Sequence, residues 1–165
     1  MRNWLAFALI GVCMAFSALK PAEAATINLT VNFGASTFSG APPVGFVLGQ
    51  FHLSLDPSAD ATGAATTDFL NLATGPVGFD YNKSIDTLII GSTLNTVGAI
   101  VPDTDDFFLA ISSLSTTPVF TFFGYTQTAN AGAFTSTNGA VHVTRSPSPQ
   151  RQRRPRPHAP HRWSR

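Results

Sequence analysis

Between Ala25 and Thr144 the chain has no cysteine, methionine, tryptophan, glutamate or arginine, and a single lysine, Lys83. Without a thiol, this stretch can form neither a disulfide framework nor a cysteine metal site. The one cysteine of the sequence, Cys13, sits in an apolar run near the start. Lys83 is set against Asp56, Asp60, Asp68, Asp80, Asp86, Asp103, Asp105 and Asp106. The body is therefore acidic, and no nucleic acid is expected to bind it. A formal net charge of +1 hides this, because the charges are segregated: Arg2 and Lys20 precede the body, and all other arginines lie from Arg145 onward. Helical periodicity over ten or more residues is also missing, which excludes a helical bundle. No phosphate-binding glycine loop and no nucleophile elbow is present.

What is present begins with a secretory layout. Arg2 gives a positive start, Trp4 to Leu19 is apolar, and Ala22-Glu23-Ala24 offers small residues at a cleavage site. The apolar run is short of the ~20 residues that span a bilayer, and Lys20 and Pro21 break it. Cleavage is expected between Ala24 and Ala25, leaving residues 1–24 as a helical signal peptide handled by the Sec machinery and signal peptidase. Cys13 does not suit lipidation, because Val12 precedes it and apolar sequence continues beyond it.

The body alternates with period two. Ile27, Leu29, Val31 and Phe33 alternate with Asn28, Thr30 and Asn32; Phe51, Leu53 and Leu55 alternate with His52 and Ser54; Val141 and Val143 flank His142. Each pattern puts one face on a core and one in water. The denser runs IDTLII, DFFLAI and PVFTFFGYT read as central strands or strands buried on both faces. TTDFLNLA suits a helix or a strand. Turn residues punctuate the body at GAPPVG, DPSADATGAA, ATGPVG and PDTDD. Asn138-Gly139 reads as a tight hairpin. These features predict an all-β domain over residues 25–144, an antiparallel β-sandwich of about seven to ten short strands.

Candidate chemistry is sparse. Asp103, Asp105 and Asp106 crowd one loop and could offer oxygens to Ca²⁺, but the spacing lacks the glycine and distant glutamate of a calcium loop. A solvated turn opening a strand at Phe107 is the simpler reading. His52 and His142 fall at outward strand positions, with no third metal ligand implied. No Ser/His/Asp set follows from spacing, so no catalytic residue is expected. A hydrolase would need paired carboxylates, for which Asp80 and Asp106 stand as candidates.

The order of segments resembles a family. A leader ending in AEAA is followed by TINLTVNFGASTFSGAPPVGFVLGQFHLSLDP, then PVGFDYNKSIDTLIIGS, DTDDFFLAI, PVFTFFGYTQ and VHVT. Over about residues 1–144 this is similar to exported β-rich proteins of Gram-negative bacteria that carry a PEP-CTERM sorting signal, and GQFHLSLDP looks like their recurrent strand and turn. The resemblance implies an exosortase substrate delivered to the cell surface or extracellular matrix, with exopolysaccharide as a candidate partner. It also implies a C-terminal Val-Pro-Glu-Pro-Ala-Thr, an apolar helix and a few arginines. Residues 145–165 depart from that pattern.

Taken as written, SPSPQRQRRPRPHAPHRWSR is a disordered Arg/Pro tail suited to a polyanion. A second reading exists. Ser146 to Arg151 can be encoded TCC CCG AGC CCG CAA CGN. Preceded by G, the neighbouring frame then reads GTC CCC GAG CCC GCA ACG, which is Val-Pro-Glu-Pro-Ala-Thr. The tail then becomes the family's sorting signal out of frame. If the shift is real in the cell, the product is released or held in the periplasm. The expectation from the sequence is a non-enzymatic exported protein of the surface or matrix. The alternative is a secreted β-sandwich module that binds carbohydrate or calcium.

Overall fold

The computed structural model describes residues 25–94 and 96–147. The expected signal peptide and residues 148–165 of the expected tail lie outside them. The described residues are all-β, with nine strands: β1 Ile27–Ser36, β2 Phe46–Leu55, β3 Ala61–Leu70, β4 Val77–Asn82, β5 Thr87–Ser92, β6 Phe107–Ser112, β7 Val119–Gln127, β8 Asn130–Ser136 and β9 Asn138–Pro147. None of the described residues forms a helix long and apolar enough to cross a membrane.

The strands form one antiparallel sheet in the order β8-β7-β6-β5-β4-β3-β2-β1-β9. Two facing sheets were expected; instead a single sheet curls into a half-barrel. The bend falls in β3, whose C-terminal half pairs with β2 and whose N-terminal half pairs with β4. A register shift at Gln50/Phe51 marks the corner, as a bulge sharpens local twist.

The period-two segments became strands with the expected faces. In β1, Leu29, Val31, Phe33 and Ala35 are buried; in β2, Val47, Phe51, Leu53 and Leu55 join them. β5, β6 and β7 are interior strands of the sheet, and TTDFLNLA lies largely in β3. Phe33, Phe51, Phe107 and Phe123 build an aromatic column across the interior. Phe33 and Phe51 stack at 5.7 Å, Phe51 and Phe107 at 5.7 Å, and Phe107 and Phe123 at 6.1 Å. Each such ring contributes about 1.5–3 kcal/mol by leaving water.

Two boundaries differ from expectation. Asn138-Gly139 is not a hairpin turn. β8 pairs with β7 while β9 pairs with β1, so the chain crosses from one edge of the sheet to the other through Thr137. Neither Asn138 nor Gly139 has the positive φ of a two-residue hairpin. Gly139 is needed for space instead: a Cβ there would stand 2.5 Å from the Gly34 carbonyl oxygen and 2.6 Å from the Phe120 ring. The second difference is that Arg145, Ser146 and Pro147 continue β9, opposite Leu29, Asn28 and Ile27. The last strand thus runs past Thr144.

Candidate functional site

The polar residues of β1 and β2 point away from the core, and the register aligns them with those of β9 into rows. One row is Ser146, Asn28, Ser54; the next is Thr144, Thr30, His52, Thr66; a third is His142, Asn32, Gln50. The rows are cross-linked. Ser54 Oγ donates to Asn28 Oδ1 at 2.5 Å, and Gln50 Nε2 donates to Asn32 Oδ1 at 2.6 Å. Phe46, Leu48 and Phe69 are exposed large apolar residues of β2 and β3, with Phe69 opposite Gln50.

The centre of this face is a hydroxyl–imidazole–carboxylate chain. Thr30 Oγ1 lies 2.9 Å from His52 Nδ1, and His52 Nε2 lies 2.6 Å from Asp68 Oδ2. A carboxylate only accepts, so Nε2 carries a proton, and in the neutral ring Nδ1 accepts from the Thr30 hydroxyl. Asp68 reaches His52 because of the corner: Phe51 pairs with Thr67 and Gln50 with Phe69, leaving Asp68 as the extra residue. The side chains of His52 and Asp68 are 42% and 45% exposed, where an ion pair adds little to stability.

Next to this chain the β2–β3 hairpin splays. It is zipped from Gly49–His52 to Thr66–Leu70, but Leu53–Leu55 and Ala61–Ala65 do not pair with each other. Asp60 Oδ1 accepts from the Lys83 N–H at 2.8 Å, tying the β2–β3 turn to the β4–β5 turn. Gly63 lets β3 lie over Phe79, whose ring would come within 2.9 Å of a Cβ there. The splay leaves an open groove of about 490 Å³. Thr30, His52, Ser54, Thr62 and Thr66 are among its polar lining residues, and the buried core residues Leu29, Leu53 and Phe79 lie beneath it.

The arrangement favours binding over nucleophilic chemistry. Thr30 lies mid-strand with ladders on both sides, not at the sharp exposed turn that presents an acyl-transfer nucleophile. The uncharged hydroxyls and amides supply donors and acceptors.

The residues singled out from the sequence lie elsewhere or apart. Asp106 is buried; its carboxylate accepts from the Val101 and Phe107 N–H groups at 3.1 and 2.8 Å. Asp105 Oδ1 accepts from Thr128 N at 3.1 Å, and Asp103 adopts a positive φ of 61°. Asp106 thus closes the loop on itself, and Asp105 ties it to the turn after β7. Among the described residues no group of three His, Cys, Asp or Glu side chains is placed to hold a metal ion. His52 and His142 lie on β2 and β9, on either side of β1 and in different rows, roughly 10 Å apart by strand spacing alone. They share no ion. Asp80 is exposed on β4, two strands from the buried Asp106, so the two carboxylates do not face each other. Thr30 and His52 were recognisable as outward positions; Asp68 was hidden by the bulge, and the groove by the partner switch in β3.

Comparison with family models, with curated proteins and with solved structures finds no match to this chain.

Proposed function

We propose that the chain is a non-enzymatic exported protein of the cell surface or extracellular matrix whose splayed-hairpin groove holds a neutral polysaccharide. The observation that carries the binding part is the groove, an open depression rimmed by uncharged hydroxyls and amides. Sugars need hydrogen-bonding partners for their many hydroxyls, and this rim supplies them. Among the described residues the His52–Asp68 pair is mutually satisfied, which favours an uncharged ligand. Electrophoresis through gels containing dextran, xylan or alginate tests it. Retardation by a neutral polymer is expected, and Thr62→Arg should abolish it while leaving the melting temperature unchanged. No retardation by any neutral polymer, or equal retardation of the variant, would remove the reading.

Export and sorting rest on the leader and on the resemblance to PEP-CTERM proteins, with signal peptidase and an exosortase as processing partners. Nucleotide sequence across codons 140 to 165, read past the present stop, tests the sorting half. A neighbouring frame that encodes Pro-Glu-Pro, an apolar helix and terminal arginines supports it. A neighbouring frame without them removes it, and the arginine-rich tail then stands as a polyanion-binding element.

A further inference from the structure

Two hydroxyls on the β1–β2 side of the groove have their protons already committed. The Thr30 hydroxyl donates to His52 Nδ1 at 2.9 Å, and the Ser54 hydroxyl donates to Asn28 Oδ1 at 2.5 Å. All four residues line the groove. A hydroxyl has one proton and two lone pairs. With the proton turned to a protein acceptor, a lone pair is what remains for a ligand. Toward the groove these two groups therefore accept and do not donate.

The direction at Thr30 is set from outside the groove. A neutral imidazole protonated at Nδ1 would donate to Thr30 Oγ1 and leave the hydroxyl proton for a ligand. Asp68 opposes that tautomer: its ionised carboxylate accepts from Nε2 at 2.6 Å, which makes Nδ1 the acceptor of the neutral ring. Asp68 is not itself a lining residue, so it acts on the groove through the ring. It stands at the register shift between β2 and β3, and bulges re-aim side chains beside sites. With side chains 42% and 45% exposed, the pair adds little to stability. Its effect is to orient the ring.

We infer that the β1–β2 side of the groove is an acceptor wall, in which Asp68 and His52 position the Thr30 hydroxyl, alongside that of Ser54, to receive hydrogen bonds from ligand hydroxyls. The inference rests on the groove as the binding site and narrows its ligand class. The wall selects polymers that present free hydroxyl donors. It disfavours groups that only accept, such as ethers, carboxylates and sulfates, because they would set lone pair against lone pair. Thr30 and Ser54 touch the ligand, whereas His52 and Asp68 are positioning residues for Thr30.

Two measurements on the purified chain test this, the first without any ligand. In nitrogen-15 spectra the neutral His52 ring should be a single tautomer, protonated at Nε2 and bare at Nδ1, and Asp68→Ala should mix the two tautomers. A wild-type ring protonated at Nδ1, or already mixed, overturns the inference. In affinity electrophoresis, dextran or xylan should retard the wild type. The O-methylated form of the same polymer, which keeps its oxygens and loses its donors, should not. Thr30→Val keeps the branched shape without the hydroxyl and should weaken binding roughly 3–10-fold, the worth of one hydrogen bond; Thr30→Ser should restore it. Equal retardation of Thr30→Val, or equal retardation by the O-methylated polymer, overturns the acceptor wall and leaves the groove reading standing. No retardation of wild type by dextran or xylan removes the groove reading and this inference with it.

Discussion

Asp86 and Asp106 show how an acidic side chain becomes part of the backbone's own hydrogen bonding. Asp86, in the left-handed region at φ 49°, accepts from Ser115 N, Ser115 Oγ and Tyr81 Oη. Desolvation raises its pKa, but those donors, with Arg145 nearby, outweigh it and hold the carboxyl below its usual 3.8. A depressed carboxylate adds stability above its unfolded pKa and loses it as pH falls through the folded one. The melting temperature of the wild type should therefore drop below about pH 4 more steeply than that of Asp86→Asn; parallel curves would contradict the linkage. Asp106→Ala leaves the part-buried Val101 N–H and the buried Phe107 N–H without this acceptor and should cost about 1–3 kcal/mol in urea unfolding. At Tyr125 burial raises the hydroxyl pKa, and the group bridges Val44, donating to its carbonyl at 2.8 Å and accepting from its N–H at 3.2 Å. Tyr125→Phe should cost about 1 kcal/mol or somewhat more.

Among the elements, β1 and β2 were legible because apolar and polar residues alternate without interruption, and a one-residue slip would bury Asn28, Thr30 and Asn32. The aspartates were legible as turn formers, but their partners were not: Ser115 lies far along the chain from Asp86, and only folding brings Thr128 to Asp105. The corner between β8 and β9 was misread because Asn-Gly is a strong local signal for a hairpin, whereas the space beside Gly34 and Phe120 is a long-range property. The two readings differ in outcome. Gly139→Ala should destabilise by about 1–3 kcal/mol, since the new methyl meets a backbone carbonyl that cannot swing away. A variant as stable as wild type would argue that the strand start is looser than the packing implies. The groove was illegible for the same reason, since neither the bulge nor the partner switch of β3 leaves a periodic mark.

At the scale of the molecule, an aromatic column joins the two limbs of the half-barrel, and Phe123 touches Phe33, Phe38, Phe107 and Tyr125. Phe123→Ala should cost about 3–5 kcal/mol and broaden the unfolding transition. The column leaves the polar rows and the groove on the outer face of the sheet. The proposed encounter with a polysaccharide presupposes that the protein leaves the cytoplasm. The most direct test is intact-mass and N-terminal analysis of the protein recovered from fractionated cells and culture medium. Export predicts a chain beginning at Ala25, found outside the cytoplasm. A chain that retains Met1 to Ala24 and stays with the cytoplasmic fraction would contradict the surface or matrix role.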